Sequence, residues 1–310
     1  MTPIDILPDD VLLVIFDFYI NDFEDLDEKL PIKDRVGVWL VHVCQRWRSV
    51  VLGSPRRMNL QLVCTPSTAV LETLDIWPAF PLVVHCHYVP YPLSGIHNIL
   101  TALKYRDRVR KINIENGEDL PWEKFMAVMQ VPFPELTDLM LASYGTKPVL
   151  PNTFLGGSAP RLRLLQLDHI QFPGLPTLLL SATHLVHLRL YNIPQPGYIS
   201  PTAMVTCLST LTSLESFSLG FTLFPLPPAQ NDQPRHLSTH STLPALTNFS
   251  FRGSRIFLDD FVSLIDAPKL NKLSVYISPR FDRDTTQLDR FVSRTPGLQA
   301  PENAPRVAYL

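Results

Sequence analysis

One hydrophobic pattern recurs along most of the chain and limits the folds open to it. It has apolar residues at its first, fourth and sixth positions, and its clear copies begin at Leu136 (LTDLML), Leu162 (LRLLQL), Leu185 (LVHLRL), Leu214 (LESFSL), Leu246 (LTNFSF) and Leu270 (LNKLSV). From a weaker copy at Val109 (VRKINI), successive copies start 27, 26, 23, 29, 32 and 24 residues apart. Such a period predicts stacked units, each too small to bury its apolar side alone.

The segments between the copies show helical periodicity and regular prolines. Apolar residues at helical spacing occur in four sets, which are Ile96, Ile99, Leu100 and Leu103; Trp122, Phe125, Met126 and Met129; Met204, Cys207, Leu208 and Leu211; and Leu258, Phe261, Val262 and Ile265. Ser200 followed by Pro201 is a helix start signal. A proline at 134, 160, 244 and 268 stands two residues before the first leucine of a copy. We expect it to end the preceding helix and prepare an extended strand.

This unit of strand, turn, helix and proline is typical of leucine-rich repeats, which are about 20 to 29 residues long. The sequence therefore predicts an α/β solenoid over residues 58–310, with a curved parallel sheet and helices on its convex side. Degenerate strands at 58–64 and 81–86, with a helix from Thr68 to Trp77 between them, bring the expected number of strands to about nine. Residues 225–244 (PLPPAQNDQPRHLSTHSTLP) have the composition of a mobile loop.

At the C-terminal end, a further copy of the pattern begins at the expected spacing but is incomplete. Leu298 follows Leu270 by 28 residues, but Pro301 occupies the second leucine position. We therefore do not expect residues 298–310 to continue the strand pattern. Two alternatives follow, an irregular end cap or an incomplete repeat array.

Residues 1–57 do not share this period. The first segment, LPDDVLLVIFDFYI (residues 7–20), has the helical pattern Leu12, Ile15, Phe16 and Tyr19, yet its other faces are apolar too. An acidic connector, NDFEDLDEK (residues 21–29), leads to a second apolar segment, VGVWLVHVCQRWRSVVLGSP (residues 36–55). A helix that is apolar all round is either enclosed in its own fold or covered by a partner.

The two N-terminal segments resemble an F-box. The resemblance rests on the Leu-Pro opening and Ile-Phe end of LPDDVLLVIF, and on the Val-Cys-x-x-Trp-Arg core of VCQRWRSVV, and it covers about 50 of 310 residues. Leucine-rich repeats are a common companion of an F-box, and the layout is similar to large families of fungal F-box proteins. The acidic connector is longer than the usual F-box link, so the resemblance covers the two ends of the module and not its middle.

The resemblance implies an adaptor function. F-box proteins dock onto the Skp adaptor of a cullin-RING ubiquitin ligase, and the rest of the chain binds a protein substrate. Transferred to this sequence, the docking surface involves Leu7, Pro8, Leu12, Ile15, Val43, Cys44 and Trp47, with Arg46 and Arg48 as a solvated rim. The alternative is a helical cap that shields the first repeat.

Strand geometry predicts the substrate-binding residues. Side chains alternate across a strand, so residues between the leucines face the concave surface. We predict a centre at His187, Arg189 and Tyr191 next to Asp168, with Asn248 and Arg252 nearby, because Arg and Tyr are favoured at interaction hot spots. The alternative is that these are ordinary solvent-facing strand residues.

Composition and motifs exclude several other functions. Lys and Arg number 27 against 29 Asp and Glu, so no overall charge favours nucleic acid or an anionic membrane. No apolar stretch approaches the roughly 20 residues of a membrane span, and the N-terminus lacks the positive charge of a signal peptide. The four cysteines lie far apart, as expected of reduced thiols in the cytoplasm or nucleus. Phosphate-binding, hydrolase and metalloprotease motifs are absent, and His85, His87, His184 and His187 lack the companions of a metal site.

Two functions of different classes therefore remain, and neither requires a cofactor or makes the chain an enzyme. The first is the substrate-recognition subunit of a Skp-cullin-F-box ubiquitin ligase. The second is a leucine-rich-repeat interaction scaffold with no ligase attachment. Binding to a Skp adaptor separates them.

Overall fold

The computed structural model of the chain describes residues 6–21, 40–54, 60–77, 80–87, 94–116, 120–194, 197–221, 240–277, 286–299 and 306–309. The helices are α1 (Asp9–Asn21), α2 (Gln45–Gly53), α3 (Val70–Ile76), α4 (Ser94–Leu103), α5 (Trp122–Val128), α6 (Leu175–Ser181), α7 (Pro201–Leu208), α8 (Arg255–Ser263) and α9 (Thr286–Arg294). The strands are β1 (Leu62–Cys64), β2 (Leu82–Cys86), β3 (Val109–Asn116), β4 (Asp138–Ser143), β5 (Leu164–Asp168), β6 (His187–Ile193), β7 (Ser216–Phe221), β8 (Ser241–Thr242), β9 (Asn248–Gly253), β10 (Ile265–Asp266), β11 (Lys272–Ile277) and β12 (Arg306–Tyr309).

The chain divides into two compact units. The first comprises Met1–His85 with Tyr91–Arg110, and the second comprises Cys86–Pro90 with Lys111–Leu310. The predicted boundary between a helical module and the repeats, at residues 57 and 58, lies outside the described residues and stays a prediction. Among the helices that the structure describes, none has both the length and the apolar character needed to cross a bilayer.

In the first unit, β1 and β2 are parallel, with Leu62 opposite Leu82 and Cys64 opposite Val84. Helix α4 lies close to the chain that leaves β1. A Cβ atom on Gly95 of this helix would come within 2.8 Å of the Pro66 Cβ, so only glycine fits there without a shift of the backbone. The Asn98 side chain donates a hydrogen bond to the Pro66 carbonyl over 2.8 Å and fixes the same contact.

The second unit is built on a parallel sheet. Among its described residues the strand order is β3, β4, β5, β6, β7, β9, β11 and β12. The fourth and sixth positions of the sequence pattern form two buried rows across these strands, which are Leu139, Leu165, Leu188, Phe217, Phe249 and Leu273, and Leu141, Leu167, Leu190, Leu219, Phe251 and Val275. The prediction of an α/β fold with a parallel sheet and helices is confirmed, and the predicted register of the leucines with it.

The prolines before the strands have a more specific role than ending a helix. The Leu136 amide donates to the Phe133 carbonyl over 3.2 Å, which closes a four-residue turn with Pro134 at its second position. The turns that end at Leu162, Leu246 and Leu270 repeat this arrangement, with hydrogen bonds of 3.2, 3.3 and 3.1 Å. Proline is favoured at this turn position because its fixed φ matches the turn geometry. Thr183 and Thr212 occupy the same position in the remaining two turns.

Helices pack against the leucine-bearing side of the sheet, and aromatic rings show this contact best. Phe217 and Phe249 stack in parallel at 5.5 Å between ring centroids, and Phe261 of α8 lies 5.8 and 5.5 Å from them. All three rings are fully buried. The opposite side of the strands carries mostly polar residues with partial solvent access, and we call it the polar sheet face.

The expectation that residues 298–310 do not continue the strand pattern is wrong in one respect. Arg306–Tyr309 form a further parallel strand beside β11, with Val307 opposite Val275. This strand begins later than the repeat spacing predicts, because Pro296–Leu298 form a single 3₁₀ turn that buries Leu298. Residues 225–239 of the predicted loop lie outside the described residues, whereas Ser241–Thr242 at its end pair with Ile265–Asp266.

Candidate interaction surfaces

The N-terminal helices α1 and α2 form a packed pair. The Phe16 and Trp47 rings lie 4.6 Å apart between centroids, and Leu12 and Phe16 are almost completely buried. The Arg46 guanidinium donates to the Asp9 carboxylate over 2.8 Å and also contacts the Leu7 carbonyl. Arg46 was expected at a solvated rim, and its side chain is 35% exposed; its contacts also tie the start of α1 to α2.

A second apolar side of α1 is exposed to solvent. Val11, Val14, Ile15 and Phe18 follow helical spacing, and we call them the outer face of α1. Their exposed fractions are 38%, 42%, 43% and 69%. Val43, in the turn before α2, is 59% exposed. The two apolar sides of the N-terminal segment therefore differ in role, because one packs inside the helix pair and no residue that the structure describes covers the other.

The predicted docking residues divide between these two sides. Pro8, Ile15, Val43 and Cys44 are exposed, whereas Leu7 and Trp47 are half-buried. Leu12 has no solvent-accessible surface, so its predicted place on a docking surface is corrected to the interior of the helix pair. Its position in the middle of LPDDVLLVIF could not reveal this, because the neighbouring residues are apolar on every side of the helix.

The polar sheet face consists of three rows that run across the strands. The first row contains Asp138, Leu164, His187, Ser216, Asn248 and Lys272; the middle row contains Met140, Gln166, Arg189, Ser218, Ser250 and Ser274; and the last row contains Ala142, Asp168, Tyr191, Gly220, Arg252 and Tyr276. Neighbouring rows are two residues apart along each strand, which corresponds to about 7 Å.

The predicted substrate-binding residues fall in all three rows. Asp168, Tyr191 and Arg252 share the last row, at the carboxyl ends of their strands. Arg189 lies in the middle row and His187 and Asn248 in the first. The structure thus brings together Asp168 with Tyr191, but it places His187 and Asn248 at the other end of the strands, about 13 Å away along the chain direction.

His187 lies in an unusual environment within the first row. Burial lowers the pKa of its imidazole below the ordinary value of 6.5, and nearby Arg189 and Arg163 act in the same direction. Glu215 and Asp138 partly oppose this effect. The buried Nδ1 atom has no hydrogen-bond partner within the part of the chain that the structure describes. These features favour a neutral imidazole at neutral pH.

A bulge interrupts the last row between β6 and β7. Leu190 faces Leu219 and Ile193 faces Phe221, so two residues, Tyr191 and Asn192, stand opposite Gly220 alone. Asn192 has a φ of 47°, in the left-handed region that asparagine tolerates better than most residues. A cavity of about 340 Å³ opens at this point, lined by Tyr191, Asn192, Ser218, Leu219, Gly220, Ser250, Arg252 and Tyr276.

A group of polar contacts continues the last row toward β3. The Asn192 amide donates to the Asp168 carboxylate over 2.8 Å, and the same carboxylate lies 2.8 Å from the His169 Nδ1 atom. Nearby, the Tyr144 hydroxyl donates to Glu115 over 2.8 Å. Burial and this hydrogen bond raise the pKa of Tyr144 to about 12. Asp168 is therefore occupied by contacts within the chain.

Sequence alternation could place Tyr191 and Arg252 on this face, but it could not reveal Asn192, His169 or Tyr144. These three residues follow the last regular strand positions, where alternation no longer applies. Within the described ranges, no group of three or more His, Cys, Asp or Glu side chains is arranged to hold a metal ion.

A comparison with models of protein families finds no match to the chain, and a comparison with curated proteins finds none either.

Proposed function

We propose that the chain is the substrate-recognition subunit of a Skp-cullin-F-box ubiquitin ligase. In this proposal the N-terminal helices are an F-box that docks onto a Skp-family adaptor, and the adaptor links the chain to a cullin-RING ligase. The parallel sheet and its helices form a leucine-rich-repeat solenoid that binds a protein substrate. The chain contributes binding and no catalysis. The observation that carries the proposal is the outer face of α1, which is apolar and exposed on a helix already packed on its other side.

Coverage of the outer face of α1 by a partner lowers the free energy. Complete burial of a Val, Ile or Phe side chain is worth about 1.5 to 3 kcal/mol. Val14, Ile15 and Phe18 lie on one exposed face of α1, and contiguous exposed apolar patches on soluble proteins mark interaction sites. Val43 adds a further exposed apolar side chain before α2. The F-box resemblance assigns this contact to a Skp adaptor, because its sequence motifs include Ile15 and Val43.

The repeat unit supports the second half of the proposal. Each unit from β4 to β11 begins with a four-residue turn, continues into a parallel strand and places its leucines in common buried rows. Leucine-rich repeats combine these features, and they present one strand face to their ligands. All four cysteines are free thiols, as expected of a protein that works in the cytoplasm or nucleus.

Co-purification tests the proposal. The chain is co-expressed with a Skp adaptor and purified through a tag on the chain. We expect the adaptor to co-purify with the wild type and to be lost from the double variant Ile15→Glu with Val43→Glu, because charged side chains cannot be buried in an apolar contact. Leu180→Glu is the matched control, since Leu180 is 51% exposed on α6 of the other unit.

Circular dichroism establishes that the variants keep the helix content of the wild type, which their exposed positions predict. Absence of the adaptor from the wild-type preparation would contradict the ligase proposal. The interaction scaffold without ligase attachment would then be the better account.

A further inference from the structure

Glycine interrupts the last row of the polar sheet face at one position. Tyr191 and Asn192 precede Gly220 across the sheet, and Arg252 and Tyr276 follow it, so a position without a side chain lies between large neighbours. A Cβ atom on Gly220 would lie 3.6 Å from the Arg252 Cβ and 3.8 Å from the Asn192 nitrogen, which are ordinary contacts. The backbone therefore does not require glycine here. Because Gly220 has no side chain, the space beside it stays open and forms the cavity.

The lining of this cavity combines hydroxyl groups, aromatic rings and one cation. Ser218 and Ser250 lie in the middle row beside Gly220, and Tyr191 and Tyr276 stand on either side. The volume of about 340 Å³ is at the lower end of the range for ligand pockets and fits one or two amino-acid side chains. Hydroxyl donors beside a guanidinium are the groups that bind oxyanions in proteins.

Arg252 supplies the charge of the cavity. Its side chain is exposed, and it makes no ion pair with any residue that the structure describes. Along the polar sheet face of β7, β9 and β11, the charged residues are Arg252 and Lys272, and neither Asp nor Glu occurs in the three rows there. Asp168, the acidic residue of the last row, is held by Asn192 and lies outside the cavity lining.

We propose that this cavity binds a carboxylate side chain, so that the chain recognises an acidic segment of its partner protein. The carboxylate pairs with the Arg252 guanidinium and accepts hydrogen bonds from the serine hydroxyls. The rings of Tyr191 and Tyr276 pack on the methylene groups of the bound side chain. This inference deepens the substrate-binding half of the proposed function by naming the chemistry of the substrate.

Peptide selection tests the inference without the adaptor. Random dodecapeptides displayed on phage, without a free C-terminal carboxylate, are selected on the full chain. The selected sequences are then made as labelled, C-terminally amidated peptides, and their binding is measured by fluorescence polarisation. We expect enrichment of Asp or Glu at one position and about a tenfold or greater loss of binding when that residue becomes Asn or Gln.

Variants of the chain locate the binding. Arg252→Gln removes the cation, and Gly220→Val fills the cavity with a side chain suited to a strand. We expect each variant to bind the selected peptide about tenfold or more weakly than the wild type does. Lys272→Gln removes the same charge from the first row of the same face and should change binding by less than about threefold.

Selection of no peptide, no enrichment of acidic residues, or unchanged binding to Arg252→Gln would overturn the inference. Both cavity variants should still co-purify with the Skp adaptor. Loss of peptide binding without loss of the adaptor therefore concerns the substrate site alone, and failure of the wild type to bind the adaptor concerns the proposed function alone.

Discussion

Cys44 provides a probe at the scale of a single residue. It is the exposed cysteine among four free thiols, and Cys64, Cys86 and Cys207 are buried. Burial raises the pKa of both Cys64 and Cys86 to about 11, so these thiols stay protonated and unreactive at neutral pH.

We predict that a thiol reagent modifies one cysteine rapidly in the native protein, and that Cys44→Ser removes this reaction. Serine is also a good helix N-cap, and the Cys44 sulfur already accepts from the Trp47 amide over 3.4 Å, so the variant should keep α2 intact. Ellman's reagent gives the count. Rapid reaction of two or more thiols in the wild type would contradict the burial of the other three.

His187 is expected to make the folding stability of the chain depend on pH. Burial, which has the largest effect, lowers its pKa in the folded chain together with Arg189 and Arg163, and Glu215 and Asp138 partly oppose this. The unfolded chain therefore binds more protons as the pH falls below the ordinary value of 6.5. The stabilisation by His187 is complete above that pH and is lost as the pH falls below it.

We predict that the wild type loses more thermal stability than His187→Gln when the pH is lowered from about 7.5 to about 5.5. Comparing the two proteins by differential scanning calorimetry removes the contribution of other titrating groups. If the melting temperatures of the wild type and His187→Gln fell equally across this range, the imidazole would have the same pKa in the folded and the unfolded chain, and the prediction would be wrong.

Single residues also mark where sequence reasoning ends. The alternation of strand side chains was sufficient to place Tyr191 and Arg252 on the polar sheet face. It could not place Asn192, because a bulge shifts the register there and depends on how β6 meets β7. It could not separate Leu12 from Ile15 either, since a helix that is apolar on all sides has no sequence signal for its inner face.

Among whole elements, α8 and the strands beneath it form the densest aromatic core. Phe249 contacts Phe217 and Phe261 at 5.5 Å each between ring centroids and has 1% of its surface exposed. Removing its ring leaves a cavity that the surrounding rings cannot fill without losing their own contacts.

We predict that Phe249→Ala lowers the free energy of unfolding by about 3 to 5 kcal/mol. Leu180→Ala, an exposed position on α6, should change it by about 0.5 kcal/mol or less. Urea denaturation followed by circular dichroism measures both. A loss for Phe249→Ala no larger than that of the control would mean that the aromatic core is not packed as described.

The elements follow from the sequence where the repeat is regular. The nine expected strands occur at their predicted places from β1 to β11, leaving aside the short pair β8 and β10, and Ser200 caps α7 as its start signal indicated. Strand β12 was missed because Leu298 ends a 3₁₀ turn and does not begin a strand, so the apolar residues of β12 fall out of period. Helix α6 was missed although Leu175, Leu178 and Leu179 follow helical spacing and are buried, because a segment of seven residues is too short for a decisive pattern.

On the scale of the whole molecule, we propose two binding surfaces on one chain. The outer face of α1 belongs to the first compact unit, and the polar sheet face with its cavity belongs to the second. Sequence motifs predict adaptor docking on the N-terminal helices, and periodicity predicts substrate binding on the strands; both stay predictions. Their functions depend on partners, which no property of a single chain can supply.

The most direct test of the central claim is the affinity of the purified chain for a purified Skp adaptor, measured by isothermal titration calorimetry. We predict saturable one-to-one binding by the wild type and by Leu180→Glu. Ile15→Glu with Val43→Glu should bind about a hundredfold more weakly or not at all, because two buried apolar side chains are worth about 1.5 to 3 kcal/mol each. Absence of binding by the wild type, or equal affinity of the double variant, would contradict the account.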